Sequence, residues 1–194
     1  IEIAGPGFLN LRLTNESLIS NINKILDNRK FYGKKNSNNK YNIEFVSANP
    51  TGPLHVGHCR GAVLGDVISN LLLFNGNKVI KEYYVNDHGS QINNFVSSVY
   101  YRIIEITKGK PFPNNNDLYP GDYIIEIAKS VIKSKKIKNF GNLEIIYKKL
   151  SSESLKYSMQ LITSNLEMLG VKHNKFVYES DLINKKMVSK IVRK

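Results

Sequence analysis

The sequence contains no tryptophan and only one cysteine, Cys59, in 194 residues. A single cysteine excludes an intramolecular disulfide, so we expect a reducing, cytoplasmic setting. No apolar run is long enough to cross a bilayer, and the first residues lack a signal-peptide pattern, so we expect no membrane partner. Because the chain starts at Ile1 without a methionine, we interpret it as a piece of a longer protein.

Acidic residues are scarce: 16 Asp and Glu stand against 28 Lys and Arg, which gives a formal net charge of +12. Such an excess fits a polyanionic partner such as nucleic acid. An AT-rich genome, which favours lysine, asparagine and isoleucine codons, would produce the same composition. The charge alone leaves both interpretations open.

Two regions differ in pattern along the chain. Residues 1–35 combine two short strand patterns around Gly-Pro-Gly with one helical pattern, and a polar, Asn- and Lys-rich stretch follows at 33–40. We therefore predict a remnant of a small α+β domain over residues 1–35. Residues 36–194 form the main domain in this prediction.

The main domain alternates strand and helix patterns. YNIEFVS, NKVIKEYYVND and KFVYE are typical of strands, the first of them buried, and helical spacing fills the segments between them. A last helix is predicted over LINKKMVSKIVRK. This order predicts an α/β fold with a Rossmann-like, doubly wound parallel sheet.

The stretch EFVSANPTGPLHVGHCRG (44–61) has three possible interpretations: a metal site, a phosphate site or a turn without chemistry. His55, His58 and Cys59 are possible zinc ligands. Adjacent residues of a helix point in different directions, however, and His88 and His173 are isolated in the sequence. We therefore expect no metal site.

A phosphate site agrees better with the order of elements. A helix that begins after a strand directs its free N–H groups and positive end toward an anion. Two histidines one turn apart share a helix face, and Gly57 would allow a nucleotide to approach closely. The alternative, a pair of histidines that only complete a turn, stays open.

Several blocks resemble those of one family. PLHVGH resembles the HIGH signature of class I aminoacyl-tRNA synthetases, and its surroundings resemble the arginyl-tRNA synthetase version. YYVNDHGSQI, YPGDYIIEIA, LGVKHNKFVYESDL and AGPGFLNLRL resemble further blocks of that family, in the same order. HxGH alone is weak because nucleotidylyltransferases share it, but the blocks together cover nearly the whole chain. Residues 1–35 would then be the end of the family's N-terminal tRNA-binding domain.

The resemblance implies a role for each matching residue. His55 and His58 would be catalytic, and ATP would be bound by His55, Gly57, His58, Gly89 and Gln91. Arginine would be bound by Glu44, Ser47, Asn49, Asn10 and Asp87. A guanidinium partner would explain a carboxylate in an apolar strand. The alternatives are that Glu44 faces solvent at a sheet edge and that Asn10 and Asp87 only form turns.

The implied activity is ATP-dependent ligation of L-arginine to tRNA(Arg) through arginyl-adenylate, with Mg²⁺ bound to the substrate phosphates and a monomeric intact enzyme. Gly52 stands where some members of the family have a lysine, so a phosphate-binding lysine would come from a KMSKS loop beyond this chain. KKMVSK (185–190) has the wrong spacing and lies too early for that loop. The alternatives are a non-catalytic nucleotide- or RNA-binding fragment and an HxGH nucleotidylyltransferase.

Overall fold

A computed structural model describes residues 1–193. The N-terminal segment consists of β1 (Glu2–Ala4), β2 (Phe8–Asn10) and α1 (Asn15–Asn28), followed by a single 3-10 turn. β1 and β2 form an antiparallel hairpin, and the Thr14 side chain caps α1 by accepting from the Ser17 backbone N–H. None of the first 47 residues is buried. The boundary predicted near residue 35 stays a prediction.

The main domain contains a three-stranded parallel sheet of β3 (Lys40–Glu44), β4 (Lys78–Val85) and β5 (Lys175–Tyr178), in that spatial order. α2 (Val56–Phe74) connects β3 to β4. Three helices connect β4 to β5: α3 (Ser90–Lys108), α4 (Asp122–Lys133) and α5 (Leu143–Met168). The predicted α/β fold with a parallel sheet is confirmed.

Helices pack on one face of this sheet in the part of the chain that is described. Tyr83 and Val85 of β4 are fully buried against Ala62 of α2 and Ile162 of α5. On the opposite face Ile80 is 47% exposed. The strands advance in one direction across the sheet, so right-handed crossovers place both connections on the same side. A doubly wound arrangement would need strands added beyond β3.

The prediction that β3 is buried is wrong for these residues. Ile43 is half-buried, and the other four residues of β3 are exposed. β3 is an edge strand with one uncovered face, and its apolar pattern could not show how many neighbours it has.

A second core lies among α3, α4 and α5. It is built from helical apolar stripes, including Phe95, Val99, Ile124, Val131 and Leu150. These five residues are fully buried, so the three helices form a tightly packed layer beside the sheet. None of the helices over residues 1–193 is apolar enough over a sufficient length to cross a membrane.

The helix predicted over 182–194 is instead two short helices, α6 (Glu179–Asn184) and α7 (Met187–Val192). Lys186 adopts a left-handed conformation with φ +53°, which interrupts the helix between them. KKMVSK spans this break, and Lys194 lies outside the described residues.

Candidate active site

The two histidines cap the start of α2. The Gly57 N–H donates to Nδ1 of His55 over 3.1 Å, and the His55 N–H donates to Nδ1 of His58 over 3.2 Å. The rings stack with centroids 3.8 Å apart. Two N–H groups at the helix start, which we expected to be free for an anion, are therefore already paired with imidazole nitrogens.

This arrangement fixes where each imidazole carries its proton. Because Nδ1 accepts in both rings, the neutral tautomer has its hydrogen on Nε2. Nε2 of neither ring bonds to any residue from 1 to 193, so both Nε2–H groups are available to a ligand. Burial, with a smaller contribution from neighbouring His55, holds the pKa of His58 below its ordinary value, which favours the neutral ring.

Gly57 lies against the ring of His55, and its predicted contact with ATP stays a prediction. A Cβ at this position would lie 3.0 Å from Cε1 and 3.1 Å from Nδ1 of His55. The missing side chain makes room for the His55 ring to fold back over the helix start, as well as for any approaching ligand.

Distant side chains hold the connection between β3 and α2. The Tyr83 hydroxyl donates to the Ala48 carbonyl over 2.8 Å, and the Tyr123 hydroxyl donates to the Thr51 carbonyl over 2.9 Å. Burial raises the pKa of Tyr123 to about 12 and that of Tyr83 further, so both hydroxyls stay protonated donors. No local sequence pattern indicates that Tyr83 supports this loop, although Tyr123 lies in the YPGDY block.

A cavity of about 360 Å³ lies in front of the histidines. Its lining comprises Asn49, Thr51, Gly52, Pro53, His55, His58, Tyr119 and Tyr123. A Cβ on Gly52 would meet the Tyr123 ring at 3.3 Å. Gly52 therefore fits the tyrosine that supports the loop, and a longer side chain would press on that tyrosine.

Hydrogen-bonded polar side chains lie at the end of β3 and in the loop that follows, and Asn49 among them lines this cavity. Asn49 donates to the Gln91 side chain over 2.7 Å, which links the loop to α3. Ser47 donates to Glu44 over 2.7 Å and accepts from the Tyr84 N–H over 3.0 Å. Glu44 itself is exposed on the edge strand. Burial of this carboxylate therefore gives no argument for a guanidinium partner, and both interpretations of Glu44 stay open.

Three other predicted site residues, Asp87, Gly89 and Asn10, are not among those that line the histidine cavity. Asp87 accepts from the backbone N–H and the hydroxyl of Ser180 at 2.8 and 2.6 Å, and it lines a larger cavity of about 590 Å³ between α5 and β5. Gly89 is the N-cap residue of α3 and has φ +95°. Asn10, on β2, bonds through its side chain to none of residues 1–193 and lines neither of these cavities.

The described residues contain no cluster of three or more His, Cys, Asp or Glu side chains arranged for a metal ion. His173 packs on Phe45, and Cys59 is a free, half-buried thiol.

Together, the parallel sheet and the cavity-lining histidines at a strand-to-helix junction define an α/β protein with a candidate site at the carboxyl edge of the sheet. The chain belongs to the family described as "tRNA synthetases class I (R), catalytic domain", whose model matches residues 21–193. The resemblance seen in the sequence is thereby confirmed.

Relatives with curated names agree with this assignment. The chain is 51% identical to an arginine–tRNA ligase of Pelagibacter ubique over its whole length and 45% identical to one of Anaplasma marginale over 99% of its length. It covers 34% and 33% of those proteins, respectively. The chain therefore spans about a third of the length of these relatives.

Solved structures show the same fold. An arginyl-tRNA synthetase structure from Campylobacter jejuni matches 89% of this chain with a TM-score of 0.77 and 32% identity, over 38% of that chain. The arginyl-tRNA synthetase of Thermus thermophilus matches 95% of this chain over 30% of its own, with a TM-score of 0.58. At 20% identity, the second match supports the fold alone.

Proposed function

We propose that this chain carries the N-terminal part of the catalytic domain of an arginine–tRNA ligase, which activates L-arginine with ATP and transfers it to tRNA(Arg). The observation that carries the proposal is the pair of capping histidines, both with a free Nε2–H, that line one cavity with Asn49. Family membership gives that geometry its chemical context.

In the first step, an oxygen of the arginine carboxylate attacks the α-phosphorus of ATP, and the bond to the pyrophosphate oxygen breaks. Negative charge builds up on the phosphate oxygens during this step. The Nε2–H groups of His55 and His58 donate hydrogen bonds to those oxygens and stabilise the charge. Because both rings are held by the helix start, they need no rearrangement when the charge develops.

Glu44, Ser47 and Asn49 are suited to the guanidinium end of the substrate or its amino group. Glu44 offers a carboxylate that a planar guanidinium can meet with two hydrogen bonds. The bond from Ser47 holds that carboxylate in place, and Gln91 orients Asn49 in the same way. Gly89, Asp87 and Asn10 remain predicted contacts, the first with ATP and the others with arginine.

Mg²⁺ would arrive with the ATP phosphates, since none of residues 1–193 forms a dedicated cluster of ligands. The intact protein would work as a monomer in the cytoplasm. A phosphate-binding lysine and the tRNA anticodon site would lie in the two thirds of the relatives' length that this chain does not span. By itself, the chain would at most bind nucleotide or RNA.

The test is ATP–pyrophosphate exchange by the intact protein with tRNA(Arg) present. We expect exchange with arginine and none with lysine, which lacks the planar guanidinium. Glu44→Gln should raise the KM for arginine by about tenfold or more and leave the KM for ATP unchanged, because a charged partner is lost. Exchange that is independent of arginine would refute the ligase, and a change confined to ATP would refute the role of Glu44.

A further inference from the structure

The turn after β3 adopts an unusual backbone conformation. Val46 and Ser47 are consecutive non-glycine residues with φ +69° and +42°. Such a left-handed pair is unfavourable for residues with a Cβ, most of all for a β-branched valine. It persists only where surrounding groups hold it in place, and such conformations concentrate at functional sites.

His173, which is 128 residues further along the chain than Phe45, holds the start of this turn. Its Nε2 lies 3.2 Å from the Phe45 carbonyl oxygen, which also accepts from the Ser47 N–H over 3.0 Å. The imidazole packs on the Phe45 ring at 4.3 Å and meets Tyr83 edge-on at 5.2 Å. Phe45 is therefore held through its backbone and its ring.

The hydrogen bond defines the state of His173. A carbonyl oxygen only accepts, so Nε2 must carry the proton. Nδ1 is buried and bonds to none of residues 1–193. A neutral ring with its hydrogen on Nε2 is the form that fits this position.

The held turn decides where the predicted arginine-binding groups lie. Ser47 lies in the left-handed pair, and its hydroxyl bridges Glu44 and the backbone N–H of Tyr84. If the turn relaxed to an ordinary extended conformation, Ser47 would leave both partners and Glu44 would lose its only side-chain hydrogen bond among the described residues.

We propose that His173 is a positioning residue for arginine recognition: by donating from Nε2 to the Phe45 carbonyl, it holds the Val46–Ser47 turn that directs Glu44 and Ser47. This inference rests on the proposed function. It adds a residue that lies outside β3 and outside the loop after it, which carry Glu44 and Ser47.

The test compares two replacements in the intact protein. His173→Gln keeps an N–H donor near the position of Nε2, whereas His173→Phe keeps an aromatic ring without the donor. We expect His173→Phe to raise the KM for arginine by about tenfold, as loss of a partly buried hydrogen bond would, with the KM for ATP and kcat within about twofold. His173→Gln should stay within about threefold of the parent.

Each outcome decides the matter. An effect of His173→Gln on the KM for arginine as large as that of His173→Phe, or larger, would overturn the role of the donor. A lower kcat together with higher KM values for both arginine and ATP would show a merely structural role. Unchanged kinetics in both variants would also overturn the proposal. If His173→Phe does not fold, His173→Met, which also lacks the donor, replaces it in the comparison. A parent protein without arginine-dependent exchange would refute the proposed function itself, before any variant is compared.

Discussion

Two helices begin at the carboxyl edge of the sheet, and their beginnings are built in opposite ways. α2 starts after an eleven-residue connection (45–55) and is capped by the side chains of His55 and His58. α3 starts at Ser90, after the short connection 86–89, and its N-cap residue Gly89 provides no side-chain cap. The first connection is held by several remote side chains, whereas the second has one remote anchor, the bonds of Ser180 to Asp87, and a glycine before the helix. Substitutions at several distant positions can therefore change the geometry of the first connection.

The largest expected effect concerns the contact that supports the long connection. A Cβ on Gly65 would lie 2.2 Å from Cγ of Phe45, inside the packed core between α2 and the loop. Gly65→Ala should therefore lower the free energy of unfolding by about 3 kcal/mol through overpacking. The measurement is urea unfolding of the intact protein.

Gly61→Ala is the matched control, because Gly61 lies on the same helix with nothing within 4 Å of an added Cβ. It should raise stability by about 0.5–1 kcal/mol through helix propensity. Equal free energies of unfolding for the two variants would show that the packing of Phe45 against Gly65 does not constrain the loop.

A side chain added at Gly89, in the short connection, should affect stability through the backbone conformation alone. Gly89 has φ +95° and ψ −174°, and an added Cβ would meet nothing within 4 Å. Gly89→Ala should thus cost roughly 1–3 kcal/mol of strain without any clash. The measurement is urea unfolding of the intact protein. A decrease in the free energy of unfolding above that range, or no decrease, would contradict the proposed difference between the two connections.

The smallest expected effect is a change in the stability of the fold with pH. Burial lowers the pKa of both His58 and His173 below the ordinary 6.5; at His173, Lys81 of β4 adds to the lowering, while the Phe45 carbonyl and Asp66 of α2 oppose it. Below pH 6.5 the unfolded chain binds protons that the folded one does not, so stability falls as the pH drops. Urea unfolding at pH 7.5 and 5.5 should show this loss, and His173→Gln should show less of it. An equal loss in the variant would assign it to other groups.

Local patterns were sufficient for some of these features and not for others. The strands, the long helices and the position of the histidines follow from apolar periodicity and the strand-loop-helix order. That β3 is an exposed edge, and that His173 and Tyr83 support the loop, depends on contacts between residues far apart in the sequence. The sequence also pointed to Gly57 and the helix start, but it could not show that the histidines themselves occupy two of the helix N–H groups.

The most direct test separates capping from donation at His55. His55→Asn places a good N-cap acceptor at the start of α2 and removes the Nε2–H. We expect arginine-dependent ATP–pyrophosphate exchange by the intact protein to fall about 10²-fold, as for the loss of a preorganised donor, while its unfolding temperature stays near that of the parent. Exchange at the parent's rate in His55→Asn would contradict the account, because the histidine would then be no more than a cap.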